Sequence, residues 1–339
     1  MAAPIWKDYN VQLASIASLY PDGLLYRIAT GGTVIFQGRA YPRPGATNIV
    51  TRINDICANY LDHIFYLDES YHGRYRATFL VQAYISGGWS SISTVEFLND
   101  WSYDHQYNPA TDGLAFPVDK VISGRQMLLQ SQYSASSITA YVHLANGTTV
   151  QVVLTIESPG DYNNDYNNDF ARMVKDYDGA AILDMRNYPT AVSVDLGGIH
   201  YTVEQGTCNR YVIYYVNAYG GWDSLLIRGK ATMADTITHY NRQMLYDNTK
   251  TYARGKQNYV NDLVRDFDFF TAWMNDVESS KMHHVLNATY IYLHDLVTDE
   301  VHPLILTGNR CIYKTFRNSG NKLMAYEINA ALAQDRIRR

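Results

Sequence analysis

The sequence predicts a mainly β chain: tandem antiparallel β-sandwich or barrel-like modules, followed by a C-terminal α+β module with one helix on an antiparallel sheet. Three observations predict it. Short runs of β-branched and aromatic residues recur, separated by Gly, Pro, Asn and Asp clusters. Apolar residues at helical spacing occur in only two places, around Ile53–Leu61 and around Phe269–Val285. A hairpin signature is present twice. CNRYVIYYVNAYGGWDSLLIRGK (Cys208–Lys230) has an upstream counterpart in FLVQAYISGGWSSISTVEF, where Gly87, Gly88, Trp89 and Ser91 match Gly220, Gly221, Trp222 and Ser224. Further on, Tyr107-Asn108 matches Tyr240-Asn241 without a gap. Paired glycines can take positive φ, as a tight primed turn requires.

The first module is expected over residues 1–114. Tyr9–Ile16, Leu24–Ala29 and Thr33–Gly38 read as strands between Pro21-Asp22-Gly23 and Gly31-Gly32 turns, and the second half of Ile49–Leu61 as a short helix. The first Gly-Gly-Trp hairpin spans about Arg76–Phe97. The second module, over 115–240, has Ser137–Leu144 and Thr148–Ile156 around Ala145-Asn146-Gly147, a strong hairpin signal. Strands at Gly179–Met185, Ala191–Leu196 and His200–Val203 follow, and the second Gly-Gly-Trp hairpin is expected to close the module. The third module, over 241–339, begins with a helix across Phe269–Val285. Four strands follow at Thr289–Leu293, Val301–Leu306, Arg310–Phe316 and Lys322–Ile328.

Composition bounds the function. The 339 residues, 47% hydrophobic and 18% charged, make a globular chain of two or three domains. A net charge of −5 gives no electrostatic reason to expect nucleic-acid binding. The basic cluster Arg336-Ile337-Arg338-Arg339 reads as a solvated helix end or frayed tail. Thirty Tyr against ten Phe suit both exposed sheet faces and surfaces that a partner covers. Cys57, Cys208 and Cys311 form no CxxC pair, so neither a zinc site nor a disulfide framework is expected, and reduced buried thiols are. MAAPIWKDYN lacks a basic n-region and an apolar h-region, so no secretory signal is expected, and no apolar run has the length of a membrane span.

Motifs for chemistry are missing. There is no Gly-x-Ser-x-Gly, no P-loop (Ala231 follows Gly229-Lys230), no Gly-x-Gly-x-x-Gly and no His-Glu-x-x-His. His283 and His284 are adjacent, point about 100° apart on a helix, and read as a polar flank. Glu96, Asp100, Asp104, Asp223 and Asp235 are candidate carboxylates, but no spacing selects a pair. Asp223 lies beside Trp222, yet its counterpart is Ser90, so it reads as a turn cap. Asp161, Asn163 and Asp165 have calcium-loop spacing, but Tyr166 and Arg172 replace the Gly and Glu of an EF-hand. A loose cation site or a polar loop remains there.

Three stretches carry a family resemblance. They are Cys208–Tyr211 through Asn217 and Gly220–Ser224; Val34–Ala40 with Pro44 and Ile53–Leu61; and the C-terminal helix with Tyr290–Leu293, Pro303–Leu306 and Tyr313–Phe316. Together they resemble tail-associated virion proteins of tailed bacteriophages of Bacteroidetes, crAss-like or siphovirus-like. The resemblance implies an assembly role with no catalytic residues to carry over; no enzyme activity, cofactor, metal, membrane or nucleic acid is expected. It implies a homo-oligomeric ring or collar in a tail or neck, contacting other tail or neck proteins, made in the host cytoplasm and carried in the virion. Tyr84, Trp89, Tyr214, Tyr219 and Trp222 are the expected packing or interface residues. The alternative is a carbohydrate- or receptor-binding module, motivated by the duplicated Trp hairpin and the Asp161–Asp169 loop. A surface adhesin is opposed by the missing signal.

Overall fold

The computed structural model describes residues 3–4, 9–61, 76–98, 117–131, 137–156, 180–206, 209–243, 256–274, 276–308, 325–333 and 336–338. The chain is mainly β, and among these residues only two α-helices form. Tyr107-Asn108, Asp100, Asp104, Cys208, Cys311, Asp161–Asp169 and Arg310–Phe316 lie outside them.

The N-terminal part contributes β1 (Ala3–Pro4), β2 (Asn10–Ala14), β3 (Leu24–Thr30), β4 (Thr33–Ala40), β5 (Ile49–Arg52), α1 (Asn54–Leu61), β6 (Arg76–Ile85) and β7 (Gly88–Leu98). Five of its strands form a sheet in the order β1-β7-β6-β3-β4, while β2 and β5 pair separately. Alternation explains the layering. Phe79, Val81 and Ala83 on β6 point to the same side as Ile28 and Phe97, and Ile53, Cys57 and Leu61 close that core from α1. Burial pushes the Cys57 thiol far up, so it is an inert apolar filler.

The middle part contributes β8 (Lys120–Ser123), β9 (Met127–Gln130), β10 (Ser137–Leu144), β11 (Thr149–Thr155), β12 (Ala181–Asp184), β13 (Ala191–Leu196) and β14 (Ile199–Glu204). Its main sheet runs β11-β10-β13-β14-β8, with β8 parallel to β14. The β9–β12 pair forms a second layer across a shared core that includes Ile122, Val142, Leu183 and Val194.

The C-terminal part contributes β15 (Tyr211–Val216), β16 (Trp222–Leu226), β17 (Ala231–Gln243), β18 (Lys256–Phe270), α2 (Asp276–Leu286), β19 (Ile291–Asp295), β20 (Glu300–Leu306), β21 (Glu327–Leu332) and β22 (Arg336–Arg338). One antiparallel sheet runs β16-β15-β19-β20-β21-β18-β17, and β22 adds to β18. Met282 and Val285 of α2 pack on Ile213, Tyr215 and Leu293.

Three differences from the sequence reading have physical causes. By its pairing, the second Gly-Gly-Trp hairpin (β15–β16) joins the C-terminal sheet through β19 rather than the sheet of Lys120–Glu204. Val212–Val216 is apolar on both faces and wholly buried, which suits an interior strand and not a module's closing edge. The second helix starts at Asp276, not Phe269. The Asp-Phe-Asp-Phe run alternates with period two, so Phe267 and Phe269 both reach the core and stack at 5.3 Å. Arg336–Arg338 is a strand edge on β18 and not a helix end. The sequence reading also has no strand at β17 and none over most of β18. Together they form a thirteen- and a fifteen-residue ribbon.

Candidate functional site

The two Gly-Gly-Trp hairpins share a signature and occupy opposite environments. In the first, Ser86 and Gly87 both have positive φ (52° and 85°), giving a two-residue turn closed by Ile85 and Gly88. In the second, Gly220 has positive φ (83°). The Gly220 N–H donates to the Asn217 carbonyl and the Asn217 N–H to the Gly221 carbonyl, so the loop is longer by one residue. Asn217 Oδ1 accepts from the N–H groups of Tyr219 (2.9 Å) and Gly221 (3.2 Å), which fixes that loop. Positive φ at both paired glycines is therefore not what occurs. Gly88 and Gly221 enter the following strand side.

The predicted interface or packing residues separate accordingly. Tyr214 and Trp222 are fully buried, and Tyr219 nearly so. Trp222 packs 6.0 Å from Tyr292 among Met127, Leu129 and Val212. Tyr219 packs 5.4 Å from the His284 ring. Tyr84 is exposed and Trp89 half-buried, as a cross-strand pair 5.4 Å apart. The Arg27 guanidinium sits over the Trp89 ring at 4.4 Å, held by the carboxamide of Gln82 at 2.7 Å. One face of Trp89 is thus already covered from within the chain.

Beneath the second hairpin lies a buried polar junction that the sequence reading missed. Asp223 is not a turn cap. It lies in β16, and Lys120 Nζ of β8 donates to its Oδ1 at 2.7 Å with both side chains 2% exposed. The Trp222 N–H donates to Ser131 Oγ (3.0 Å), the Tyr214 hydroxyl to the Met127 carbonyl (2.6 Å), and Gln126 Nε2 to Ser224 Oγ (3.3 Å). These bonds tie the middle sheets to the hairpin. Asp223 Oδ2 and Tyr215 Oη are buried without a hydrogen-bond partner. Burial and the nearby Asp223 charge push the Tyr215 and Tyr201 hydroxyls well above their ordinary range. Burial lowers the Lys281 ammonium of α2. The only available signal was the Trp222-Asp223 adjacency, and its partner is 103 residues away in sequence.

From the other side, α2 is latched by His284. It is buried, not a polar flank, and the Ala218 N–H donates to its Nδ1 at 3.1 Å. His283 next to it is exposed. Burial pushes the His284 pKa down to about 4, with the Asp223 charge opposing. An acceptor at Nδ1 and a low pKa agree on a neutral ring.

The candidate carboxylates are dispersed. Glu96 lies in β7, Asp223 meets Lys120, and Asp235 receives two bonds from Arg265 (2.7 and 2.9 Å) on the ribbon. Among the described residues no group of three or more His, Cys, Asp or Glu can hold a metal ion, and no helix is long and apolar enough to cross a membrane.

A long exposed feature is the β17–β18 ribbon. Thr232–Gln243 are all exposed, and β17 is a sheet edge. Pairing sorts the two faces. Met233, Asp235, Ile237 and His239 oppose Phe267, Arg265, Leu263 and Asn261 on one face. Thr232, Ala234 and Thr238 oppose Asp268, Asp266 and Asp262 on the other. One face carries Met233 and Ile237 on either side of the Asp235–Arg265 ion pair, and the other is acidic. Gly229 sits at the ribbon's root, where a Cβ would run into the Phe270 carbonyl. No family model, no curated protein and no solved structure matches the chain.

Proposed function

We propose that the chain is a structural virion subunit, a ring- or collar-forming component of a phage tail or neck that works through contacts between subunits. The observation that supports this reading is the ribbon. Thirteen residues of β17 at about 3.3 Å each span roughly 43 Å. β21 and β22 flank the other side of β18 over Asp266–Phe270 and Asn261–Leu263, so β17 is the open edge of a larger sheet. Here its apolar face leaves Met233 and Ile237 half-exposed in solvent, about 54% and 50%. Three aspartates keep the opposite face wet. A neighbouring subunit laid on the apolar face removes that exposure, and head-to-tail repetition of such a contact closes a ring.

The test has two arms. Mass spectrometry of purified particles is expected to find this chain in many copies, and its absence overturns the virion reading. Ile237→Glu places a charge on the apolar face without disturbing a buried residue. It is expected to abolish the large oligomer while the fold stays intact by circular dichroism. An unchanged oligomer removes the ribbon from the argument.

A further inference from the structure

Among the described residues, β11 is an edge strand without the usual protections. Its sequence, TVQVVLT, has no charge and no proline, and its seven pairs with β10 run without a shift in register. Exposed edges are normally blunted by charges, proline or bulges. Two other edges among the described residues, β4 and β17, follow that rule. β4 carries Arg39 and a register shift against β3 at Ile28/Ala29, and β17 carries Asp235, Arg242 and a shift at Tyr240/Asn241. The bond from the Leu144 N–H to the Thr148 carbonyl sets the phase of the ladder. In step with that pair, Val150, Val152 and Leu154 turn their backbone groups toward β10. Thr149, Gln151 and Val153 turn theirs outward. At the far end Ile156 bridges to Ala181 of β12, so the open stretch is Thr149–Val153.

We propose that this stretch pairs antiparallel with the same stretch of a second copy, across a two-fold axis at Gln151, merging two five-stranded sheets into one. The segment itself selects a second copy as its partner. Thr149-Val150-Gln151-Val152-Val153 reads nearly alike in both directions. About that axis Gln151 meets Gln151 of the second copy, Thr149 meets its Val153, and Val150 meets its Val152. All three outward-facing residues exchange backbone bonds in that register. Every cross-strand pair is β-branched with β-branched, or amide with amide, and no like charges meet. Val150 and Val152 are only half-buried in one chain and pack on the inner core. The added strand completes their cover, and it also covers the flank of Val153, 65% exposed in one chain. This names one interface of the assembly proposed above and rests on that reading. It is a two-fold contact, so ring closure falls to the ribbon.

The test is the mass of the full chain by analytical ultracentrifugation over a wide concentration range. Val153→Pro removes an outward N–H at an edge position that tolerates proline, and Val153→Lys adds the charge that natural edges carry. The wild type is expected to show a two-fold step in mass that both variants lose. Gln151→Cys is expected to form a disulfide-linked dimer on oxidation, since the two residues face each other across the axis. If Val153→Pro unfolds, Val153→Lys decides. A wild type that stays monomeric overturns the pairing, and so does an oligomer that folded Val153→Lys leaves unchanged. The particle mass spectrometry above stays independent of both results, so failure of this interface and failure of the virion reading are told apart.

Discussion

Acid should loosen the latch between α2 and the second hairpin. His284 accepts the Ala218 N–H at Nδ1, and burial holds its pKa at about 4 against an ordinary 6.5. The folded chain keeps the ring neutral, while the unfolded chain takes up a proton below about pH 6.5. The unfolded state therefore binds more protons between those values, and stability present above pH 6.5 is lost as pH falls toward 4. The loss is about 2 kcal/mol at pH 5 and about 3 kcal/mol when complete. The perturbation is His284→Gln, which keeps an acceptor and a similar reach but does not titrate. Urea unfolding at steps from pH 7.5 to 4.5 converts midpoints to free energies. The wild type should fall relative to the variant by about 2 kcal/mol at pH 5, whatever the other histidines contribute to both. Burial also lowers His294, which Asp299 at 2.9 Å opposes, and that contribution cancels in the difference. Parallel pH curves for the two proteins would refute the reasoning.

Three further outcomes follow from the packing. Asp223→Ala leaves Lys120 charged and buried, and should cost about 3–5 kcal/mol by urea midpoint, whereas Lys120→Met with Asp223→Leu should recover most of it. A single-variant cost no larger than that of a surface substitution would contradict the buried pair. Trp222→Ala empties a fully buried site and should cost about 3–5 kcal/mol, while Trp89→Ala at the surface should cost under about 1 kcal/mol. Equal effects would mean that the two copies are not packed as described. Gly229→Ala forces a methyl group against the Phe270 carbonyl and should cost about 1–3 kcal/mol, read as a lowered thermal midpoint.

Local chemistry was legible, and long-range pairing was not. Strands β3, β4, β10 and β11 and helix α1 fall where alternation, turn residues and helical spacing place them, because those signals act within a few residues. The β15–β16 hairpin was legible as a hairpin, but its neighbour β19 begins 75 residues after β15 ends, and no local pattern encodes that pairing. The β17–β18 ribbon escaped because a strand exposed on both faces lacks a strict apolar alternation. Thr232, Thr236, His239 and Tyr240 read as loop chemistry when no core fixes one face. The buried junction escaped for a different reason. Asp223 looks like a turn residue until Lys120 is known to lie against it, and a residue's neighbours in space decide its role.

Divergence between the hairpin copies argues against the Gly-Gly-Trp signature as a shared interface. If the Gly-Gly-Trp signature were itself an interface, both copies should present the ring to solvent in the same way. Instead Trp222 is sealed between β9 and Tyr292 of β19, and Trp89 has one face covered by Arg27. The shared residues then serve turn geometry and cross-strand packing, which both environments require. The folding of one chain makes little use of the exposed Met233 and Ile237 on β17 and of the uncharged edge of β11. Each costs solubility and gives a lone chain little stability in return. A chain selected only to fold would replace Val153 and Ile237 with charged residues at no loss of core. In the proposed assembly, other subunits would cover them.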